Sequence, residues 1–231
     1  MIMANGAIHK STLDFLRGLS KNNNRHWFNS NKSRYHDALE NTVTFCDALI
    51  EKMNQHDQIE TPSGKKALYR IYNDVRFSNE DTPYNPRFAG HLRRRKPALR
   101  GGYYLWIKPG ASRIGCGFTY PNPDDLKRIR MDILDNHREL NGLLRSKSIK
   151  ANFGEMLGDK VKTTPKGFPR DHPGIALLRY KQFWFEHPFT DDEVLSKDFV
   201  DNVSKTFKSI RPFFDYMSEV LTTDLNGESI I

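Results

Sequence analysis

The chain is organised around one central stretch, Arg70-Ile71-Tyr72-Asn73-Asp74-Val75-Arg76-Phe77-Ser78. Side chains alternate between the two faces of an extended strand. A strand here would place apolar side chains on one face, at Tyr69, Ile71, Val75 and Phe77, and polar ones on the other, at Arg70, Tyr72, Asp74 and Arg76. We therefore predict a strand over about Lys66 to Asp74, with a core face and a face for salt bridges or ligand recognition.

The length and composition indicate a packed globular protein. The 231 residues are enough to bury a large core, and 37% of them are hydrophobic and 12% aromatic. No linker rich in Pro, Gly or Ser interrupts the chain. We predict a single globular domain over residues 11–221, a disordered or loosely held N-terminus at 1–10, and a frayed C-terminal tail at 222–231.

Several classes of protein are disfavoured by what the sequence lacks. No apolar run approaches the roughly 18 residues that span a bilayer, and the first residues do not resemble a secretory signal. Cys46 and Cys116 have no CxxC spacing, and the eight histidines form no HExxH motif. We expect a soluble, cytoplasmic protein without a membrane partner, a metal or a cofactor.

The apolar pattern predicts an α+β fold. Helical periodicity is strong after the asparagines at 22–24, where we predict one long helix to Met53, and again near the C-terminus, where we predict one helix over 199–217. The predicted strands cover 66–74, 87–92, 102–108, 113–120, 160–164 and 181–185. We expect a mostly antiparallel sheet of about six strands, with the long N- and C-terminal helices packed mainly on one face.

The polar face of the central strand is our candidate ligand site. A formal net charge of +8 favours acidic partners. Asp74 could orient the neighbouring arginines to bind a phosphate or carboxylate, and because an aspartate paired with arginine stays ionised, it would be a poor general base. This favours ligand binding over catalysis, so we assign no catalytic residue and leave open whether the protein is an enzyme. The predicted ligand-binding residues are Asn31, Lys32, Arg70, Tyr72, Asp74, Arg76 and Tyr84.

Two alternatives remain open. The first is a nucleic-acid-binding accessory protein that uses a basic cluster near several aromatic residues; its members are Arg93, Arg94, Arg95, Lys96 and Arg100. A solvated surface would explain the same cluster. The second is a structural or partner-binding module, in which Arg70, Asp74 and Arg76 pair with one another inside the fold. The oligomeric state is left open.

Four blocks of the sequence resemble one known family. They are the segment from Asn22 to Tyr35, the central stretch with Thr82-Pro83-Tyr84, Gly102-Tyr103-Tyr104 with Ile107, and Pro165-Lys166-Gly167-Phe168 with Asp171-His172-Pro173. In this order they are similar to blocks of DUF2461, a family of bacterial and fungal proteins of unknown function. The resemblance runs from about Thr12 to Tyr216, and it implies no activity, cofactor or site residue.

Overall fold

The structure is a computed structural model that describes residues 6–73, 82–224 and 226–231. The strands are β1 (Phe88–Arg93), β2 (Gly102–Ile107), β3 (Ser112–Phe118) and β4 (Phe183–Phe189), in the sheet order β1-β2-β3-β4. The helices are α1 (Lys10–Lys21), α2 (Arg25–Ser30), α3 (Lys32–Met53), α4 (Gly64–Ala67), α5 (Pro123–Leu144), α6 (Lys147–Phe153), α7 (Ile175–Leu178), α8 (Asp191–Leu195), α9 (Phe199–Lys208) and α10 (Arg211–Thr222).

The α+β class is confirmed, but the prediction of about six strands is wrong: the described part of the chain forms a four-stranded antiparallel sheet. Where we predicted the central strand, the Ser63 side chain accepts a hydrogen bond from the Lys66 amide and starts the short helix α4. After it, within the described residues, Leu68 and Tyr72 form only isolated bridges. The predicted strand at 160–164 is likewise reduced to one bridge, between Lys160 and Tyr180.

The chain divides into two compact units. Unit 1 contains Met1–Arg93, Tyr104–Ile114 and Pro188–Lys205, and unit 2 contains Arg94–Tyr103, Gly115–His187 and Thr206–Ile231. The single domain over 11–221 stays a prediction. No helix in the described ranges is both long enough and apolar enough to cross a membrane.

In unit 1 the predicted long helix is broken at Asn31. The Asn24 side chain accepts a hydrogen bond from the Trp27 amide at 2.9 Å and caps α2, as predicted from the asparagine run. Asn31, with φ −113° and ψ 21°, ends α2 and precedes α3. The buried face of α3 is also rotated from the predicted stripe, since it consists of Ala38, Asn41, Thr42, Phe45, Cys46, Leu49 and Met53.

Asn41 explains part of that rotation. Its Oδ1 accepts hydrogen bonds from the His9 amide at 2.9 Å and the Thr12 hydroxyl at 2.8 Å. Its Nδ2 donates to the Ala7 carbonyl at 2.9 Å. A buried amide is tolerated where it is hydrogen-bonded, so this face of α3 is held against the start of α1 by polar as well as apolar contacts.

The predicted C-terminal helix is also two helices. Pro212 lies in the first turn of α10, where its missing N–H costs nothing, but it cannot continue a helix that precedes it. The start of α5 has the signals that the sequence Asn122-Pro123-Asp124-Asp125 predicts for a helix N-terminus: the Asn122 side chain accepts from the Asp125 amide at 2.9 Å, and Pro123 opens the helix.

Candidate functional site

Tyr72 and Tyr84 face each other across an antiparallel bridge in unit 1. The Asn73 amide donates to the Pro83 carbonyl at 3.0 Å, and the Asn85 amide donates to the Ile71 carbonyl at 2.7 Å. Asn73 Nδ2 also donates to the Thr82 carbonyl at 2.8 Å. These bonds hold residues 71–73 of the central stretch against residues 82–85. Two predicted ligand-binding residues, Asp74 and Arg76, lie outside the described residues.

Aromatic packing fixes this bridge against the second helix. The Phe28 ring of α2 stacks on the Tyr84 ring, with centroids 4.0 Å apart and an interplanar angle of 10°. It also contacts Tyr72 at 5.8 Å and Tyr35 of α3 at 5.0 Å. Phe28 and Tyr84 are buried, whereas Tyr72 is 50% exposed. We call Tyr35, Tyr72 and Tyr84 the tyrosine cluster; it presents one exposed ring on a buried aromatic base.

An asparagine just before α2 fixes the backbone of Tyr84. Asn23 Nδ2 donates to the Tyr84 carbonyl at 2.7 Å, and the Tyr84 amide donates to Asn23 Oδ1 at 3.1 Å. Both backbone polar groups of this residue are therefore satisfied by one side chain. The asparagine run consequently does two things: Asn24 caps α2, and Asn23 positions a tyrosine that lies 61 residues later.

Burial and mutual proximity raise the pKa of two tyrosines of the cluster, Tyr35 and Tyr84. Burial raises the pKa of Tyr35, and the neighbouring Tyr72 raises it further. Burial likewise raises the pKa of Tyr84, with Tyr72 adding to the rise and Arg25 opposing it. Tyrosine is neutral near pH 7 at its ordinary pKa of about 10, and the rise extends that neutral, hydrogen-bond-donating state to higher pH. Arg25, the cation that opposes this rise at Tyr84, is the first residue of α2.

The other predicted ligand-binding residues are placed differently. Asn31 uses its side chain locally, because Nδ2 donates to the Trp27 carbonyl at 2.9 Å and Oδ1 accepts from Arg34 at 3.0 Å. Lys32 and Arg70 are exposed. Neither cation forms an ion pair with another residue of the described ranges.

Sequence reasoning missed Arg25, Asn23 and Tyr35. Tyr35 was not predicted as a site residue, because its spacing matched the apolar stripe of the predicted helix. The pattern therefore assigned it to the core, and its hydroxyl was not considered. Arg25 directly follows a helix cap and precedes Trp27 and Phe28, so the capped start of α2 was the available clue.

The basic cluster does not form one exposed surface. In unit 2 the Arg94 side chain is 0% exposed, and it donates to the Arg100 carbonyl at 2.7 Å and to Asp215 at 3.2 Å. Its guanidinium also lies 5.0 Å from the centre of the Phe214 ring. Arg100 forms an ion pair with Asp125. Arg94 and Arg100, which we predicted for nucleic acid, are therefore engaged within the fold.

The remaining members of the basic cluster are exposed. Arg95 and Lys96 lie on the surface of unit 2. Arg93 belongs to unit 1, where its Nε lies 3.7 Å from Glu60. In the ranges that the structure describes, no group of three or more His, Cys, Asp or Glu side chains is arranged to hold a metal ion.

These features define an α+β protein with a cluster of tyrosines at the bridge between Tyr72 and Tyr84. The family model described as "Conserved hypothetical protein (DUF2461)" matches residues 11–216, so the chain belongs to that family, as its four sequence blocks predicted. Searches of curated proteins and of solved structures gave no match.

Proposed function

We propose that the tyrosine cluster binds a small anionic ligand. The observation that supports this most directly is the half-exposed Tyr72 ring packed against Tyr84 and against Phe28 of α2, the helix that begins with the exposed Arg25. Neutral hydroxyl donors beside a guanidinium suit an anion, because hydrogen bonds to a charged acceptor are shorter and stronger than neutral ones.

Three exposed cations lie within three residues of Phe28, Tyr35 or Tyr72 in the sequence. Arg25, Lys32 and Arg70 are exposed, and none of the three is ion-paired with another described residue. The proposal includes Asp74 and Arg76 because they follow Asn73 closely in the sequence. It is a proposal of binding, and it assigns no reaction.

The first test compares Tyr72→Phe with Tyr69→Phe. The two tyrosines are about equally exposed, at 50% and 54%, so each variant removes one accessible hydroxyl. Inorganic phosphate, glycerol phosphate, citrate and a short single-stranded RNA are titrated into each protein by calorimetry. For one of the small anions we expect Tyr72→Phe to weaken binding about tenfold, since a hydrogen bond to a charged group contributes roughly 1.5–3 kcal/mol. Tyr69→Phe should change the Kd by less than about twofold.

Two outcomes would contradict the proposal. One is that no small anion binds the wild-type protein, and the other is that both tyrosine variants lose affinity equally. If only the RNA binds, if its affinity falls steeply with salt and if Arg95→Gln weakens it, the nucleic-acid alternative is favoured instead.

The pKa shifts predict a pH dependence. Because the folded state raises the pKa of Tyr35 and Tyr84 above the ordinary value of about 10, the unfolded chain releases these protons first as pH rises. Their contribution to stability should be complete below about pH 10 and lost as pH rises through the folded pKa values. An NMR titration with Cζ-labelled tyrosine measures both pKa values. We expect Tyr72→Phe to lower both, and unchanged values would exclude the inferred proximity of the three hydroxyls.

A further inference from the structure

A pocket of about 270 Å³ lies in unit 2, at the C-terminal part of α5. The buried part of its lining is apolar and includes Met156, Leu177 and Tyr180, each less than a tenth exposed. The charged part consists of Arg145, Lys150, Glu155 and Lys160. The pocket shares no residue with the tyrosine cluster.

Hydrogen bonds hold the walls of this pocket in place. The Tyr180 hydroxyl donates to the Met156 carbonyl at 3.0 Å, and Lys160 pairs with Tyr180 through an antiparallel bridge. From α5, Arg130 donates to the carbonyls of Leu178 at 2.9 Å and Tyr180 at 3.1 Å. The segments that line the pocket are thus tied to one another without a ligand, which reduces the ordering cost of binding.

The charge of the pocket is positive. Three cations and one carboxylate leave a net charge of +2. Lys150 forms an ion pair with Glu155; it lowers the pKa of that carboxyl group, and Arg145 lowers it further. Lys160 Nζ lies 4.1 Å from the centre of the Tyr180 ring. Within the described part of the chain, neither Arg145 nor Lys160 forms an ion pair with a carboxylate.

We propose that this pocket binds a small phosphate monoester. A monoester is close to a dianion at neutral pH, since its second pKa is about 6, and that charge matches the +2 of the pocket. Arginine and lysine are the side chains that most often bind phosphate. The apolar lining can contact the organic part of the ester. The volume is just below the roughly 300–1,000 Å³ of most ligand sites, which limits the ligand to a few carbon atoms.

The proposal is tested by calorimetry with glycerol phosphate at low ionic strength, because salt screens exposed charges. We expect the wild-type protein to bind, and both Arg145→Gln and Lys160→Gln to weaken binding about tenfold. Arg138→Gln is the matched control: it removes the same charge from an exposed position on α5, the helix that ends directly before Arg145, and this position lies outside the pocket. It should change the Kd by about twofold or less.

Four results would overturn the proposal. The first is the absence of glycerol phosphate binding to the wild-type protein at millimolar concentration. The second is an equal loss of binding in Arg138→Gln and in the pocket variants, which would indicate attraction by surface charge alone. The third is binding of succinate as tight as that of glycerol phosphate, which would remove the preference for phosphate. The fourth is loss of binding in Arg25→Gln but not in Arg145→Gln, which would place the anion at the tyrosine cluster; the reverse pattern supports the pocket.

Discussion

Gly117→Ala is expected to lower the free energy of unfolding by about 3 kcal/mol or more. A Cβ atom at this position of β3 would lie 2.1 Å from the Phe183 carbonyl oxygen and 3.1 Å from the Trp184 Cα. The backbone at Gly117 also has φ +137°, which residues with a side chain rarely adopt. Backbone strain of roughly 1–3 kcal/mol and a clash with an adjacent backbone of roughly 1–3 kcal/mol both act against the folded state.

Gly110→Ala is the matched control for this variant. Gly110, in the turn between β2 and β3, also has a positive φ, +72°, but a Cβ atom there would have no neighbouring atom within 4 Å. Only conformational strain remains at this position, so we expect a loss of about 1–2 kcal/mol. Urea unfolding monitored by circular dichroism compares the two. Equal losses would show that close approach to the Phe183 carbonyl is not what requires a glycine in β3.

Arg94→Ala is expected to lower the free energy of unfolding by about 3 kcal/mol. The substitution removes a fully buried side chain that packs on Phe214 and donates to the Arg100 carbonyl. Losing the hydrogen bonds of a buried charged group costs roughly 1.5–3 kcal/mol, and the cavity left behind adds to this. Asp215 is half exposed and keeps Arg211 as a partner at 3.0 Å, so little of the loss arises at its carboxylate.

Arg95→Ala should change stability by less than about 0.5 kcal/mol, because Arg95 is exposed. Urea unfolding at matched protein concentration measures both variants. If Arg94→Ala is as stable as Arg95→Ala, the buried network does not hold unit 2 together. The comparison also guides the nucleic-acid test, since a loss of RNA binding in Arg94→Ala would reflect instability rather than a lost contact.

Signals that act within a few residues were predicted well from the sequence. The run Asn122-Pro123-Asp124-Asp125 predicts the start of α5, and the asparagine run predicts the cap of α2. The glycines on both sides of Cys116 are typical of a bulge or of close approach by a backbone or a ligand, and the structure shows a backbone approach at Gly117, from the distant Phe183. The two caps involve backbone groups no more than about four residues away, so the local sequence is sufficient for them.

The face of α3 that is buried and the number of strands could not be predicted in this way. Asn41 is polar, yet it lies on the buried face because its partners, Ala7, His9 and Thr12, come from a different part of the chain. The predicted central strand satisfied the alternation rule, but a ladder also needs a partner strand along its length, and Leu68 and Tyr72 each have only one bridge in the described ranges.

The candidate site was predicted only in part. Tyr72 and Tyr84 do lie together, whereas Asn31 is used in a helix junction. Tyr35 joined the cluster without a sequence motif, because helix packing places its ring 5.0 Å from Phe28, which in turn contacts Tyr72 and Tyr84. Asp74 and Arg76 remain proposed members.

By itself, the sequence determined the α+β class, the family, and the caps that begin α2 and α5. The tertiary structure alone decided which charges are buried. Arg94 and Arg95 are adjacent and chemically identical, yet one is enclosed and the other exposed. The difference arises because Asp215, 121 residues later, and Phe214 meet the first of them in the folded chain. A buried guanidinium is stable only where such partners surround it, and no local pattern specifies partners that are so distant in sequence.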